Sequence, residues 1–253
     1  MRVSVLTATL NSEGTIKQAL ESCVNQDYED IEYIIVDGGS TDQTLNIIDF
    51  YAQKVDKLIV GKDKNLYDAL NKGIEAADGD LICLLHSDDY FFSNQVIRKV
   101  VEKIERDDLD CCYSDLVMVH KDEGYTVRKW QAGTFSRLKF YAGWMPPHPT
   151  ICMKREVFFD GRFYRTDFGS ASDYEWILRS IFKTNIKVGY LNETTYVQRT
   201  GGLSNRNITA RVKAHFSDWK AWRMNTKSIL PIWVLLKPLR KLFQFRYMNR
   251  RSP

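Results

Sequence analysis

Apolar residues recur in short runs along the first third of the chain, at 3–9, 31–37, 57–61 and 81–85. Between the runs the apolar positions change to helical spacing. The clearest stripe is Ile16, Ala19, Leu20, Cys23 and Val24, one face of a helix over 12–25. Similar patterns predict helices over 41–54, 66–77 and 94–105. A strand–helix alternation of this kind predicts a mostly parallel sheet covered on both faces. After a further strand at 111–120 the order becomes irregular and aromatic-rich. A helix over 173–182 and short strands at 187–191 and 194–198 are predicted there. No internal repeat, low-complexity segment or linker divides the chain into independent domains.

Polar, turn-forming segments close three of these strands. The run Leu81-Ile82-Cys83-Leu84-Leu85 stops at His86-Ser87-Asp88-Asp89. Two adjacent carboxylates repel unless a cation or an array of donors neutralises them, and the carboxyl edge of an open α/β sheet is where ligands bind. One reading is a divalent metal holding a phosphorylated ligand; the other is a solvated loop leading to a helix capped near Ser93 and Asn94. The strand at 31–37 runs into Asp37-Gly38-Gly39-Ser40-Thr41-Asp42, where the glycines permit positive φ or close approach of a ligand. The first strand ends in Asn11-Ser12-Glu13-Gly14. Three such mouths together favour a nucleotide crevice over three unrelated loops.

In order along the chain, Thr7-Ala8-Thr9-Leu10-Asn11, Val36-Asp37-Gly38-Gly39-Ser40-Thr41-Asp42, Asn71-Lys72-Gly73, Ala77-Asp78-Gly79-Asp80 and Ser87-Asp88-Asp89 resemble the motifs of the family 2 glycosyltransferases. Pro146-Pro147-His148-Pro149-Thr150, Ser172-Asp173-Tyr174-Glu175-Trp176 and Gly201-Gly202-Leu203-Ser204 resemble a bacterial subgroup that builds surface polysaccharides. The resemblance covers 1–205. It implies a GT-A fold, a Rossmann-like nucleotide-binding sheet flanked by helices, with a nucleotide-sugar half (1–110) and an acceptor half (111–228). It also implies an inverting transfer of a hexose or N-acetylhexosamine from a UDP-sugar to a glycan acceptor, polyprenyl-linked, in O-antigen, capsule or exopolysaccharide synthesis. A catalytically inactive sugar-nucleotide or carbohydrate-binding protein of the same fold is the alternative.

Residue roles follow from the same resemblance. Asp89 would bind Mn2+ or Mg2+, and Asp88 would reach the ribose or the metal. Asp37 would accept from the uracil imide N–H, with Thr7 and Asn11 in the same pocket. Asp68, Asn71 and Lys72 would approach the nucleotide from one helix, although Leu70 stands where the family usually has Arg. Asp173 would be the general base, with Glu175 as the fallback. His148, Glu175 and Trp176 would line the acceptor or sugar site. Gly201, Gly202 and Ser204 would form a flap, with Arg199 supplying charge. His86 departs from the acid or amide common in the family.

Composition narrows the setting. The 253 residues suffice for one enzyme domain, and 44% hydrophobic with 27% charged residues is globular. An odd number of cysteines, five, without zinc-finger spacing points to a reducing compartment, and Cys23 and Cys83 sit on apolar stripes. No targeting segment is visible, and the longest apolar run, 229–236, is too short to span a bilayer. From 229 to 253 there are six basic residues and no acid. Taking these six from the chain's +4 leaves −2 for everything before residue 229. Interleaved with Trp233, Leu235, Leu236, Leu239, Leu242, Phe243 and Phe245, these cations suit an anionic membrane surface. With the lipid-linked acceptor that the resemblance implies, the expected location is cytoplasmic, peripheral on the inner face of the plasma membrane; a helix packed on the body with a solvated basic face is the other reading of the tail. No zinc or helix-turn-helix signature suggests nucleic acid. Against a different nucleotide enzyme, such as a dehydrogenase or nucleotidyltransferase on a Rossmann-like sheet, stands the absence of the glycine-rich Gly-x-Gly-x-x-Gly and Gly-x-x-x-x-Gly-Lys-Ser/Thr fingerprints.

Overall fold

The computed structural model describes residues 1–201 and 208–226, with the side chains of the last helix described from residue 216. The expected membrane tail (229–253) and Gly202 and Ser204 of the expected flap lie outside the described residues. Strands β1 (Val3–Thr9), β2 (Ile31–Asp37), β3 (Lys57–Val60) and β4 (Leu81–Leu84) are parallel in the order β3-β2-β1-β4. Alternation along each strand feeds two cores. Val3, Val5, Tyr33, Ile35, Leu81 and Cys83 pack with Ile16 and Leu20 of α1 (Ile16–Val24), Ile48 of α2 (Thr44–Phe50) and Val100 of α4 (Val96–Asp107). Leu6, Ala8, Ile34, Val36, Ile82 and Leu84 pack on the other face with Leu70 and Ile74 of α3 (Leu66–Ala76) and with aromatics from the second half. These strands read as near-continuous apolar runs because both faces are buried.

The amino edge of the sheet is held by charge. Glu32 is fully buried and accepts from Ser4 Oγ at 2.5 Å and Asp78 N at 2.8 Å, with Lys57 Nζ 2.8 Å away. Burial alone would raise its carboxyl, but the bonds from Lys57, Ser4 and Asp78 outweigh it and hold the group at about 2. A side chain on Gly79 would put its Cβ 2.7 Å from Ser4 N, so only glycine lets the turn before β4 press on β1.

The second half departs from the parallel expectation. β5 (Tyr90–Phe91), β6 (Cys111–Val119), β7 (Thr126–Trp130), β8 (Cys152–Lys154) and β9 (Val188–Arg199) extend the sheet to nine strands. β8 is antiparallel to both β4 and β6, β7 is antiparallel to β6, β5 is antiparallel to β9, and β6 runs parallel to β9. The strands expected at 187–191 and 194–198 are one strand, whose interruption is a pair of register shifts opposite Ser114, Asp115 and Leu116. The helix expected over 173–182 is α7 (Ser172–Ile177) followed by a wider, π-helical turn at Leu178–Phe182. Short helices α5 (Arg137–Phe140) and α6 (Arg155–Phe159) precede it, and α8 (Ile208–Asn225) packs against it. Among the described residues no helix is long and apolar enough to cross a membrane.

Cys83 is core, as its stripe implied, but its sulfur is paired with Cys152, directly opposite on β8 with Cα atoms 4.5 Å apart. The reducing compartment expected from the cysteine count does not anticipate this pairing. Cys23, Cys111 and Cys112 are free and buried, and burial pushes all three thiols up.

Candidate active site

The carboxyl ends of β1, β2 and β4 are tied into one mouth by their own side chains. Asp37 is buried at the end of β2, and its carboxylate holds the turn that follows. Oδ1 accepts from Gly39 N (2.9 Å) and Ser40 N (2.7 Å), and Oδ2 accepts from Ser40 Oγ (2.5 Å). Gly39 has φ +91°, a conformation that the turn needs and that other residues resist. Asn11, itself at φ 49°, donates its N–H to Ser40 Oγ at 2.8 Å and accepts from Thr41 N at 2.9 Å. Ser12 Oγ lies 3.0 Å from Ser87 Oγ, linking the first loop to the third. Thr7 is buried lower in β1 with its hydroxyl 3.1 Å from Tyr33 OH, so it packs beneath the mouth rather than lining it.

Asp63 completes this side of the mouth and was not singled out from the sequence. Its Oδ1 is 2.5 Å from Lys72 Nζ, while its buried Oδ2 has no hydrogen-bond partner and lies 3.2 Å from where a Gly38 Cβ would stand. In sequence it sits in Lys62-Asp63-Lys64, which reads as an ordinary solvated loop. The residues of α3 diverge in their tasks. Asp68 accepts from Lys64 N, and Lys72 clamps Asp63. Asn71 donates to Tyr164 O at 2.8 Å and accepts from Tyr164 N at 2.9 Å, fastening the acceptor half to α3.

At the end of β4 the two adjacent acids occupy different environments. Asp89 is buried, with Oδ1 accepting from Arg199 N at 2.8 Å and the Tyr196 hydroxyl bonded to the same carboxylate. Burial, then the charge of Asp88, push its carboxyl well above the usual range despite these donors. Asp88 is half-buried at the mouth; its backbone carbonyl accepts from Arg199, whose guanidinium also reaches Gln18 and lies over the Tyr90 ring. The Arg199 charge foreseen near the diphosphate therefore sits beside Asp88.

An unbroken series of rings leads from this point into the second half. His86 is 6.4 Å from His148 between ring centroids, and His148 Nε2 is 2.9 Å from Tyr164 OH. Tyr164 packs at 4.9 Å on Trp176 and at 5.7 Å on Tyr67. Burial, reinforced by His86, drives His148 down to about 3, and burial lowers His86 against the opposing charge of Asp88. Both imidazoles are therefore neutral near pH 7. Asp173 stands at the far end of this wall, half-buried in the first turn of α7. Its charge raises both Tyr67 and Tyr164, although burial is the larger cause for each.

The neighbours of Asp173 are structural. Glu175 is buried and accepts from Arg179 Nε (3.0 Å), Arg179 Nη2 (3.1 Å) and Asn225 Nδ2 (3.3 Å), while Arg179 also donates to Phe163 O. Trp176 is buried, stacks on Phe158 and donates Nε1 to Arg162 O. A cavity of about 310 Å³ lined by Asp78, Asp80, Lys154, Arg155 and Glu156 lies at the opposite, amino edge of the sheet and includes none of these groups.

Residues 4–184 match the model of the family described as glycosyl transferase family 2. The chain belongs to this family. Over 207 residues the glycosyltransferase is 28% identical to a PGL/p-HBAD biosynthesis glycosyltransferase of Mycobacterium bovis BCG, with 80% of this chain and 78% of the relative covered. It is 39% identical over 139 residues to the putative glycosyltransferase EpsH of Bacillus subtilis, covering 53% of this chain and 39% of EpsH. Among solved structures, residues 1–349 of S. aureus TarS in complex with UDP-GlcNAc superpose with a TM-score of 0.71 at 21% identity over 88% of this chain. The chain spans 65% of that TarS polypeptide. The mannosyltransferase PcManGT of Pyrobaculum calidifontis, in complex with GDP-Man and Mn2+, gives a TM-score of 0.64 at 16% identity over 95% of this chain and 68% of its own. These two likenesses concern the fold, and they agree with the GT-A architecture that the motifs implied.

Among the described residues no three His, Cys, Asp or Glu side chains gather into a cluster able to hold a metal by themselves. The donor set of this glycosyltransferase nevertheless fits a hard cation shared with a ligand. Mg2+-type sites commonly combine one or two carboxylates with substrate phosphates, and Asp88 offers such a carboxylate with His86 beside it.

Proposed function

We propose that this glycosyltransferase moves a hexose or N-acetylhexosamine from a UDP-sugar to a hydroxyl of a lipid-linked glycan, with inversion, in polysaccharide or glycolipid synthesis. The observation that carries the reading is the continuous wall from Asp88 through His86, His148 and Tyr164 to Asp173. In this reading Asp88 serves the donor and Asp173 the acceptor, with the rings between them. The UDP and UDP-GlcNAc complexes of the TarS neighbours support the donor class, and the biosynthetic role in the name of the mycobacterial PGL/p-HBAD relative supports a synthetic transfer.

The division of labour follows from burial. Asp63 Oδ2 and the Gly38 backbone would meet the nucleobase, because Asp63 Oδ2 is an acceptor without a partner whereas Asp37 bonds its own turn. Asn11, Asp68 and Lys72 would shape this pocket by holding its loops, and Asn71 would fix Tyr164. Asp88, rather than the buried Asp89, would hold Mn2+ or Mg2+, which when bound supplies Lewis-acid neutralisation of the departing diphosphate. Asp89 would position the loop through Arg199 and Tyr196. Asp173 would accept the proton of the attacking hydroxyl; its place in the first turn of α7 orients it, and the adjacent tyrosines and tryptophan keep water out. His148, neutral and buried, would orient Tyr164 and form the floor between the two carboxylates.

The tail at 229–253 would hold the enzyme against the cytoplasmic face of an anionic membrane, where a polyprenyl-linked acceptor resides. The experiment is to offer UDP-sugars with and without Mn2+ and follow UDP release as acceptor is added. Acceptor-dependent release supports transfer. Binding of UDP-sugar without release under any condition would leave the inactive binding protein instead.

A further inference from the structure

Long stretches in the second half of the sequence contain no Asp or Glu, among them 124–155, 176–192, 194–217 and 219–253. The fold brings described parts of the first, second and last of these together at one place. Arg137 of α5 donates to Thr184 O and to Asn185 Oδ1, beside the π-helical turn. Tyr141 packs on Phe182 (5.7 Å) and on Trp222 of α8 (5.4 Å), and Phe182 packs on Trp222 (5.7 Å). Parts of three acid-free segments thus meet at a single aromatic junction.

The solvent side of that junction is cationic and apolar at once. Arg137, Lys183 and Arg223 are exposed, Leu138 is 79% exposed and Tyr141 49%. Lys139 donates to Thr134 O, and Arg223 lies over the Trp219 ring. Among the described residues none of Arg137, Lys139, Lys183 and Arg223 is paired with a carboxylate. A single exposed leucine needs no explanation. A leucine and a tyrosine set among cations that no carboxylate of the described residues pairs form the mixture that an anionic bilayer binds. The junction also lies where α8 ends, since Thr226 N donates to Trp222 O at 2.8 Å. The sequence that continues from there carries the same mixture of cations and large apolar residues.

We propose that the α5 face, Arg137 to Tyr141 with Lys183 and Arg223, is a docking surface for an anionic lipid bilayer. Leu138 and Tyr141 enter the headgroup layer, and the cations meet lipid phosphates. The surface deepens the reading of a lipid-linked acceptor, but it is built from residues outside the donor site and outside the tail, so each idea fails separately.

The test uses the full chain carrying Leu138→Cys or, as a control, Phe50→Cys, labelled with a polarity-sensitive fluorophore. Phe50 is 85% exposed on α2, which covers the opposite face of the sheet, and every native cysteine is buried. Phosphatidylcholine vesicles containing phosphatidylglycerol should shift the label at 138 to the blue and leave the label at 50 unchanged. Salt should reverse the shift as the Debye length falls. Arg137→Glu with Lys183→Glu should weaken vesicle co-sedimentation at least about tenfold, with transfer to a soluble acceptor unchanged. Vesicle binding with a silent label at 138 would mean that another segment docks and would overturn the proposal, as would no vesicle binding at all. An equal response of the 138 label to RNA and to vesicles would replace it with a general polyanion surface.

Discussion

Replacing Asp89 by alanine should unfold this enzyme before it disarms it. The side chain is buried, and its carboxylate serves the backbone N–H of Arg199 and the hydroxyl of Tyr196, a residue that is itself 1% exposed. Stripping the acceptor from two donors costs about 1–3 kcal/mol each where they are left unpaired, and the void adds to this. A total of roughly 3–5 kcal/mol is expected, which in a chain of this size lowers Tm by roughly 10 °C or more. Asp89→Asn keeps an oxygen for Arg199 N in a place where burial already disfavours charge, so it should cost less than about 2 kcal/mol and retain activity. Asp88→Asn should behave in the opposite way. It changes a half-buried residue at the mouth and should move stability by about 0.5 kcal/mol. Transfer should fall by ~10² or more, because charge at the departing diphosphate goes uncompensated. Thermal melts of the three variants with transfer rates at several Mn2+ concentrations make the comparison. An Asp89→Asn enzyme that melts normally but has lost its metal response, beside a fully active Asp88→Asn enzyme, would refute the reasoning.

Asp173→Asn should reduce kcat by ~10²–10⁴ while leaving the KM for UDP-sugar unchanged, as steady-state kinetics will show; an unchanged kcat removes Asp173 as base. Glu175→Gln should instead lower Tm, because Arg179 and Asn225 lose their partner, and an intact melt with lost turnover would make Glu175 the base. Asp63→Asn should weaken UDP affinity measured by calorimetry, by about tenfold for one charge-assisted hydrogen bond. Glu32 has its folded carboxyl depressed to about 2 from 4.5, so its contribution is complete above pH 4.5 and is lost as pH falls towards 2. That contribution is at most roughly 3 kcal/mol. Denaturation of wild type and Glu32→Gln should therefore converge below pH 4.5, and a constant difference across that range would contradict the assignment.

The parallel half of the fold was legible because strands buried on both faces leave continuous apolar runs. β1 and β2 occupy the predicted residues, and α3 ends within a residue of its expected bound. The second half was not legible in the same way. β5 has two residues and β8 three, too few to show any period, and their places are set by partners far along the chain such as Tyr196 and Cys83. The site divides similarly. Asp88 and Asp173 stood out as acids at a strand end and at a helix start. The burial of Asp89 depends on Arg199, 110 positions away, and no local pattern records it. Asp63 looked like one charge among lysines until its proximity to Gly38 and Lys72 gave it a direction. The Glu175–Arg179 and Asp68–Lys72 pairs, each four residues apart, were signals available from spacing alone.

The anomeric proton of the product, followed by NMR during transfer from an α-linked UDP-sugar by wild type and by Asp173→Asn, tests the central claim most directly. Wild type should give a β-linked product, and the variant no product signal while UDP-sugar still binds. An α-linked product, or undiminished β-product from Asp173→Asn, would contradict it.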